Sequence, residues 1–344
     1  MKLVGSLPES RMPSPQDAPA IRWGVIAPGG IAHAFASAVN DETNSRIAAV
    51  GSRSLERAKD FAAKFEKDGA IRAYGSYEEL VQDDGIDAVY VASPHSEHHA
   101  HVSLALNAGK PVLVEKAFTQ NAKQAVEIVE LARSKNLLLV EAMWTRFLPH
   151  IDVVRQLVEN GEIGNIQKIF ADHGQEMHFP PEHRLQNPAL AGGALLDLGI
   201  YPLSFMHMLM GNPDSVTAIG TLSATGVDES MDASLMWGEV QGVLATTQKM
   251  KTPTSAIVLG DVASIKIPGD FYQPNEVHLI YPDGTHLQSR PTAVAGLAYE
   301  AAEFARLLAV GADESDLMTH ADSISIMRIM DEMRAHVGVN YPGD

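Results

Sequence analysis

The chain of 344 residues contains no cysteine. That absence excludes a disulfide framework, a thiolate zinc site, a cysteine-ligated iron–sulfur cluster and a cysteine nucleophile. Cations are also few, because 26 Lys and Arg stand against 43 Asp and Glu, which gives a formal net charge of −17. Binding to nucleic acid or to an anionic membrane needs clustered positive charge. We therefore expect neither as a partner.

Long apolar runs are missing as well. No segment approaches the roughly 18 uninterrupted apolar residues of a membrane span. The first 20 residues contain four prolines and no apolar core of a signal peptide. We expect a cytoplasmic protein whose residues 1–20 form a flexible leader, either disordered or lying as an arm across a neighbouring subunit.

The remaining composition is that of a globular protein, with 45% hydrophobic and 20% charged residues. At roughly 150 residues per domain, this length predicts two domains. Residues 21–145 alternate short apolar runs with helical patterns, which predicts a doubly wound parallel α/β sheet. The predicted strands are 22–27, 46–51, 87–92, 111–115 and 137–141, and the predicted helices are 31–39, 55–65, 96–107 and 121–135.

Residues 146–344 follow a different pattern. A helix near 149–160, a loop rich in His and Pro, and a helix near 196–210 precede a series of alternating segments separated by turn signals. This predicts an α+β domain with an open, mostly antiparallel sheet, followed by two helices that pack back on the first domain. A second copy of the chain is the simplest cover for the open sheet face, so we expect a homo-oligomer, a dimer or a dimer of dimers.

The first predicted strand leads directly into the turn Ala27-Pro28-Gly29-Gly30-Ile31-Ala32 and a helix. The pattern is a dinucleotide-binding fingerprint with alanine in its first and third glycine positions. The glycine in the middle position lets backbone approach a pyrophosphate, which would lie on the helix N-terminus. A tight β–α turn without a ligand is the alternative. The position of the turn, between the first strand and the first helix, favours the nucleotide.

The end of the second strand indicates which nucleotide is bound. A carboxylate normally stands there to bind the ribose 2′-hydroxyl of NAD. Here Ser52 and Arg53 follow the strand, and Arg57 lies one helical turn later. A hydroxyl and guanidinium groups suit a 2′-phosphate, so NADP(H) is favoured over NAD(H). Alternatively, Arg53 is a solvated residue at the start of a helix.

Several stretches together carry a resemblance to a known family. They are 27–32, 52–53, 115–116, 140–149, the run GGALLDLGIY at 192–201, and the C-terminal stretches 299–301 and 338–342. With these motifs the chain resembles the glucose–fructose oxidoreductase / inositol dehydrogenase (Gfo/Idh/MocA) family over residues 21–342. Within that family it is most similar to the dimeric dihydrodiol dehydrogenases and the NADP-dependent D-xylose dehydrogenases. The resemblance implies an N-terminal Rossmann domain and a dehydrogenase or reductase activity.

The resemblance also assigns individual positions. Lys116 matches the lysine of the family's Glu-Lys-Pro motif, and Tyr201 stands where the dihydrodiol subgroup carries tyrosine. Arg184 matches an arginine in the loop before the 192–201 run. Ala117 departs from the family by replacing the proline, in a bond that is often cis in relatives, and Ala27 departs by replacing the first glycine.

The chemistry of these residues suits hydride transfer at a carbinol carbon. Asp197 and Tyr201 are four apart and share one helix face. A phenol with a pKa of about 10 is a poor base until an ammonium stabilises the phenolate. We assign Tyr201 as proton donor and acceptor, Lys116 as the group that lowers its pKa, and Asp197 as the group that orients substrate or lysine. Lys116 as the direct acid/base remains open, as do a capping role for Asp197 and a packing role for Tyr201.

Other residues are assigned by their positions next to these motifs. The predicted cofactor contacts are Ala27, Gly29, Gly30, Ile31, Ser52, Arg53, Arg57, Ser93, Pro94, His98, Glu115, Lys116, Trp144 and Arg146. The predicted substrate contacts are Trp144, Phe179, Arg184, Asp197 and Tyr201. Trp144 as interdomain core and Arg184 as a surface-loop residue are the alternatives. Four of the 14 histidines, at 95, 98, 99 and 101, crowd one helix start, but without a metal-ligand pattern we expect no metal.

We therefore interpret the chain as an NADP-dependent oxidoreductase that acts on a CH–OH or C=O carbon of a small cyclic polyol, sugar or dihydrodiol. An NADP(H)-binding sensor or scaffold without turnover is the alternative. A third possibility is an enzyme that keeps its cofactor bound and transfers hydride between two sugars.

Overall fold

The computed structural model describes residues 5–66 and 70–344. The chain forms two compact units. We call Pro13–Trp144 with Val294–Met327 the parallel-sheet unit, and Met1–Met12, Thr145–Ala293 and Arg328–Asp344 the mixed-sheet unit. The chain thus leaves the parallel-sheet unit after Trp144 and returns to it for residues 294–327 near the C-terminus.

The parallel-sheet unit contains a six-stranded sheet of order β3-β2-β1-β4-β5-β6. Its strands are β1 (Arg22–Ile26), β2 (Arg46–Gly51), β3 (Arg72–Tyr74), β4 (Ala88–Val91), β5 (Val112–Glu115) and β6 (Leu139–Ala142), all parallel to their neighbours. The strand order reverses between β1 and β4, and ligands of doubly wound sheets bind outside the carboxyl ends of the strands at this place. The fold class expected from the sequence is confirmed for this unit.

The mixed-sheet unit contains an eight-stranded sheet of order β14-β13-β12-β11-β7-β10-β9-β8. Its strands are β7 (Ile166–Gly174), β8 (Ser215–Leu222), β9 (Asp228–Trp237), β10 (Val240–Thr247), β11 (Ala256–Gly260), β12 (Ser264–Ile267), β13 (His278–Ile280) and β14 (His286–Gln288). The pair β7–β10 is parallel and the other neighbouring pairs are antiparallel, which confirms the mostly antiparallel sheet.

The helices are α1 (Gly30–Glu42), α2 (Leu55–Phe65), α3 (Tyr77–Val81), α4 (His98–Asn107), α5 (Ala122–Lys135), α6 (Pro149–Glu159), α7 (Ile200–Met210), α8 (Gly296–Val310) and α9 (His320–Val337). Local residues explain their starts, because Ser54 and Asn121 cap α2 and α5 with side-chain oxygens and Pro149 occupies the first turn of α6. Among the described residues, one helical stretch, Pro188–Met210, is long and apolar enough to cross a membrane, and most of it is buried inside the fold.

Aromatic side chains fill the core of the parallel-sheet unit. Trp23 of β1 lies edge-on to Phe35 of α1 at 5.3 Å and tilted against Phe304 of α8 at 5.0 Å, measured between ring centroids. Phe35 stacks on Tyr90 of β4 at 3.8 Å. Helix α8 is therefore part of the core that packs against β1, although it lies far from β1 in the sequence.

The N-terminal segment differs from the flexible leader that the sequence predicts, except for residues 1–4, which lie outside the described part. The backbone N–H of Arg11 donates to Asp152 Oδ2 of α6 at 2.6 Å, and its guanidinium pairs with Asp152 at 2.7 Å and Glu159 at 3.0 Å. Gln156 of the same helix donates to the carbonyl oxygen of Glu9 at 2.8 Å. The carboxylates of α6 thus hold residues 9–11 on the body of their own chain.

Candidate active site

The glycine turn after β1 has the geometry of an anion site. Ala27 occupies the left-handed region with φ of 66°, and the N–H of Gly29 donates to its carbonyl oxygen at 2.7 Å. Within the described residues no side chain caps the N-terminus of α1. A Cβ on Gly30 would meet no atom within 4 Å. The start of α1 is thus uncapped and has room beside Gly30, which suits a pyrophosphate on its N–H groups.

The end of β2 places a hydroxyl and two guanidinium groups beside this turn. Ser52 is buried, and its Oγ accepts the N–H of Ser54 at 3.2 Å. Arg53 and Arg57 are exposed on either side of the start of α2. The structure describes no acidic side chain at residues 52–55, so the donor set fits a 2′-phosphate.

Two aromatic residues outside the predicted cofactor contacts, Tyr77 and His101, adjoin these arginines. The ring of Tyr77 lies edge-on to His101 at 4.6 Å, and His101 Nδ1 lies 2.9 Å from Ser93 Oγ. Burial raises the pKa of Tyr77, while the nearby charges of Arg53 and Arg57 act against that shift. Tyr77 and His101 thus connect the predicted 2′-phosphate residues with the predicted ribose contact Ser93.

His98 is a buried connector between two loops. Its Nδ1 lies 2.8 Å from the carbonyl oxygen of Ala117, and its Nε2 lies 2.8 Å from that of Ser93. Burial lowers its pKa to about 4, so the ring is neutral near pH 7. A neutral ring donates to only one of these two carbonyls, and its contacts on both sides give His98 a positioning role between the loops. The cofactor contact expected for His98 stays a prediction. The other predicted helix-start histidines diverge, with His99 pairing with Glu127 at 2.9 Å.

Lys116 follows β5, in a loop held from the protein interior. The Lys116–Ala117 peptide bond is cis, although alanine replaces the family's proline. Glu115 accepts the backbone N–H of Lys116 at 3.2 Å with one oxygen and the hydroxyl of Tyr90 with the other. Glu115 is therefore a buried support of the lysine loop.

A second buried carboxyl faces Glu115. Glu300 of α8 is fully buried, and its oxygens have no hydrogen-bond partner among the described residues. Burial and the charge of Glu115 raise the pKa of Glu300 well above its usual value. Both effects disfavour ionisation of Glu300, which therefore lies as a second buried carboxyl beside the support of the lysine loop.

Trp144 and Arg146 follow β6 but have different surroundings. Trp144 is half-buried and packs against Ala38 of α1 and Leu297 of α8. Arg146 is buried, and its guanidinium donates to Ser204 Oγ at 2.9 Å and to the Ser204 carbonyl oxygen at 3.1 Å. These two donors are directed to α7, and the cofactor contact expected for Arg146 stays a prediction.

The mixed-sheet unit brings three of the predicted substrate residues into one neighbourhood. Both terminal nitrogens of Arg184 lie 3.2 Å from Asp197 Oδ1. Asp197 lies inside a π-helical turn, Leu195–Gly199, and so does not cap the helix. In the loop before Arg184, the half-exposed ring of Phe179 stacks on His183 at 3.7 Å. An ion pair and a flat apolar surface thus lie close together in the sequence and in space.

Tyr201 belongs to an aromatic cluster that sequence reasoning missed. Its ring lies 4.8 Å from Tyr272 and 5.2 Å from His173, and these two rings stack at 4.3 Å. The alternation of buried residues Ile169, Ala171 and His173 along β7 is the signal that could have found the histidine. No local signal points to Tyr272. The cluster leaves Tyr201 7% exposed, so its phenol lies at the edge of a largely dry, aromatic environment.

The chain matches family models in both units. Residues 21–143 match the oxidoreductase family with an NAD-binding Rossmann fold, and residues 151–266 match the GFO/IDH/MocA C-terminal domain. A trans-1,2-dihydrobenzene-1,2-diol dehydrogenase from Xenopus tropicalis is 36% identical, covering 94% of this chain and 100% of the relative.

The chain belongs to the GFO/IDH/MocA oxidoreductase family. The family resemblance stated from the motifs is thereby confirmed. A D-xylose 1-dehydrogenase (NADP(+)) from Hypocrea jecorina is 35% identical over 94% of this chain and 93% of its own. A crystal structure of a 3-ketoreductase from Actinomadura kijaniata in complex with NADP and TDP-benzene superposes with a TM-score of 0.82 at 27% identity, covering 93% of this chain and 98% of that one. The family combines a dinucleotide-binding unit with a second unit, and this chain contains both.

Proposed function

We propose that this protein is an NADP-dependent dehydrogenase or reductase that acts on one CH–OH carbon of a small cyclic sugar, polyol or dihydrodiol. The observation that carries the proposal is the grouping of Tyr201, Asp197 and Arg184 on one segment and its adjoining loop, next to aromatic rings. The relatives support it, because those similar over nearly the whole chain are named for oxidation of a dihydrodiol and of D-xylose.

The parallel-sheet unit supplies the cofactor site in this proposal. The uncapped start of α1 holds the pyrophosphate, and Ser52, Arg53 and Arg57 hold the 2′-phosphate. When bound, NADP⁺ supplies the acceptor for the hydride that leaves the carbinol carbon. Two similar proteins support NADP as the cofactor, because one is named for NADP(+) and the other was crystallised with NADP.

We assign proton transfer to Tyr201 and Lys116. Tyr201 accepts at its phenol oxygen the proton that leaves the substrate hydroxyl as the carbinol carbon becomes a C=O carbon. A phenol accepts a proton at neutral pH only where an ammonium lowers its pKa, and Lys116 is the residue that the family motif assigns to that role. Direct proton transfer by Lys116 is the competing assignment. The reverse reaction uses the same two groups in the opposite sense.

Substrate orientation falls to Asp197 and Arg184. A carboxylate accepts and a guanidinium donates, so the pair can bind neighbouring hydroxyls of one ring. Phe179, stacked on His183, offers an apolar face to the CH side of such a ring. The chemistry thus favours a flat, multiply hydroxylated substrate over an acyclic one.

The experiment is reduction of NADP⁺ in the presence of aldoses, inositols and a trans-dihydrodiol, with wild type and Tyr201→Phe. Tyr281→Phe is the matched control, because it removes one hydroxyl from a buried tyrosine of the same unit. We expect Tyr201→Phe to lose on the order of 100-fold or more in kcat while still binding NADP⁺, and the control to keep its rate. Unchanged turnover in Tyr201→Phe refutes the proton-transfer assignment. Binding of NADP⁺ without turnover of any ring substrate supports the sensor alternative, and NADP that survives purification supports transfer between two sugars.

We also propose a homo-oligomer through the open face of the eight-stranded sheet, in the cytoplasm. Ile219 and Leu222 of β8 are 74% and 41% exposed, and Phe170 of β7 is 37% exposed. Covering such side chains favours association. The mass in solution measured by light scattering tests this, and Ile219→Asp should lower it if β8 lies in the interface.

A further inference from the structure

A buried carboxylate that has no part in the proposed chemistry holds the start of the 192–201 segment. Asp228, the first residue of β9, is fully buried, and its Oδ2 accepts the backbone N–H of Leu195 at 2.6 Å. Leu195 opens the helical turn that carries Asp197, and Tyr201 lies one turn further along. Asp228 therefore fixes the end of the segment that bears two residues of the proposed site.

The other oxygen of Asp228 lies directly against the turn. A Cβ on Gly193 would lie 2.1 Å from Asp228 Oδ1, and Gly193 has a φ of 119°. Only glycine fits both the backbone conformation and the space. Oδ1 itself has no hydrogen-bond partner among the described residues. The carboxylate and the turn are thus matched in shape as well as by the hydrogen bond.

Tyr341, near the C-terminus, also binds this turn, at the residue that precedes Gly193. The hydroxyl of Tyr341 donates to the carbonyl oxygen of Gly192 at 2.5 Å. The guanidinium of Arg334 lies 4.6 Å from the Tyr341 ring centroid and pairs with Asp331 at 2.7 Å and Asp344 at 2.8 Å. Tyr341 and Arg334 are the charged or titratable groups that face Asp228, and the two acids beyond them largely engage the Arg334 charge.

The protonation state of Asp228 changes near neutral pH. Burial raises its pKa to about 7, against the lowering effect of the backbone N–H of Leu195. Burial and the charge of Asp228 also raise the pKa of Tyr341, so Tyr341 remains a neutral donor. Above pH 7 the ionised carboxylate is a strong acceptor for Leu195, and below it the protonated group accepts weakly.

We propose that Asp228, with Tyr341, is a positioning residue that sets the placement of Asp197 and Tyr201 and makes turnover depend on its own ionisation. This inference rests on the proposed function of Tyr201. It adds a second set of residues, outside the site, on which the rate of that function depends.

The test compares Asp228→Asn with Asp232→Asn, which makes the same change at an exposed position of the same strand. Turnover is measured from about pH 5 to about pH 9 with NADP⁺ and whichever of the aldoses, inositols or trans-dihydrodiol the enzyme oxidises. We expect kcat of wild type and of Asp232→Asn to fall on the acidic side, with a midpoint near 7. Asp228→Asn should lose this acidic limb and show a kcat roughly 10-fold lower at high pH, with KM and NADP⁺ affinity little changed.

An acidic limb with the same midpoint and depth in Asp228→Asn as in wild type overturns the inference, because any limb that Tyr201 contributes as proton acceptor is common to both proteins. Tyr201→Phe, measured alongside, separates the two hypotheses, because full activity in that variant refutes the proposed function instead. If Asp228→Asn does not fold, wild type alone decides the question. The amide resonance of Leu195 can be followed by NMR in protein labelled with isotopic leucine, with Leu195→Met used to assign it. We expect its chemical shift to change with pH with a midpoint near 7. A Leu195 resonance that does not titrate there overturns the inference.

Discussion

Arg184 places both of its terminal nitrogens 3.2 Å from a single carboxylate oxygen of Asp197. The second oxygen of Asp197 and the remaining donors of Arg184 are therefore not fixed by this pair. Asp197 is almost buried, with 8% of its side chain exposed, whereas 44% of the Arg184 side chain is exposed. The pair thus presents its cationic end outward, which gives a direct experiment on substrate binding.

Arg184→Ala should raise KM for the ring substrate and lower kcat/KM by about 10- to 100-fold, because it removes a donor to substrate and the partner of a buried carboxylate. Steady-state kinetics measures this, with NADP⁺ affinity as the internal reference. Arg290→Ala removes an exposed arginine of the same unit and serves as the control. Equal kcat/KM in the two variants would show that Arg184 is a surface-loop residue.

Arg53→Ala should weaken NADP⁺ binding by about 10- to 100-fold and leave NAD⁺ binding unchanged, since only the former carries the phosphate that the guanidinium would bind. Calorimetric titration with both nucleotides measures the ratio. Arg46→Ala, at the exposed start of β2, is the matched control. An equal loss of affinity for NADP⁺ and NAD⁺ would mean that Arg53 supports the loop and does not bind the 2′-phosphate.

His150 provides a test of pH-dependent stability away from the site. Its Nε2 lies 2.9 Å from the carbonyl oxygen of Phe271, and burial lowers its pKa to about 4. Between pH 4 and 6.5 the unfolded chain binds the proton that the folded chain excludes, so stability falls as pH falls through this window. Urea unfolding at pH 7 and pH 5 should show a loss about 2 kcal/mol larger in wild type than in His150→Gln. An equal loss of the free energy of unfolding in wild type and His150→Gln would show that the His150 ring is solvated in the folded protein.

Arg11→Ala tests whether the N-terminal segment stabilises the fold. Burial raises the pKa of Asp152, but hydrogen bonds from Arg11 outweigh this and hold the pKa below its usual value. The stabilisation is therefore present at neutral pH and is lost as pH falls through the lowered pKa. We expect Arg11→Ala to lower the free energy of unfolding by about 1 kcal/mol near pH 7, and by less in high salt. Glu9→Ala, which keeps the backbone carbonyl that Gln156 binds, is the control.

Local sequence predicted the elements that depend on local contacts. Helix α2 occupies the predicted residues 55–65, because Ser54 caps its start and Phe61 and Phe65 repeat at helical spacing on its buried face. Strand β3 was missed, since Arg72–Tyr74 is a short edge strand without an apolar run. Its only described neighbour is β2, so little burial is needed to form it.

The remaining differences depend on contacts distant in the sequence. One regular helix was expected at 196–210, whereas the chain makes a π-helical turn at Leu195–Gly199 before α7 begins. The anchor of that turn, Asp228, lies 33 residues away. Arg146 is similar, because Ser204, whose hydroxyl accepts a hydrogen bond from its guanidinium, lies 58 residues later. No pattern within a window of local sequence contains either partner.

The alanine at the first position of the glycine turn affects ligand binding in another way. Glycine at that position could adopt many backbone conformations, whereas Ala27 is restricted to few and is held in the left-handed one. A restricted loop loses less conformational entropy when a phosphate settles on it, because its shape exists before the ligand arrives. Ala27→Gly would therefore let the free loop sample more backbone conformations and so weaken the complex with the nucleotide.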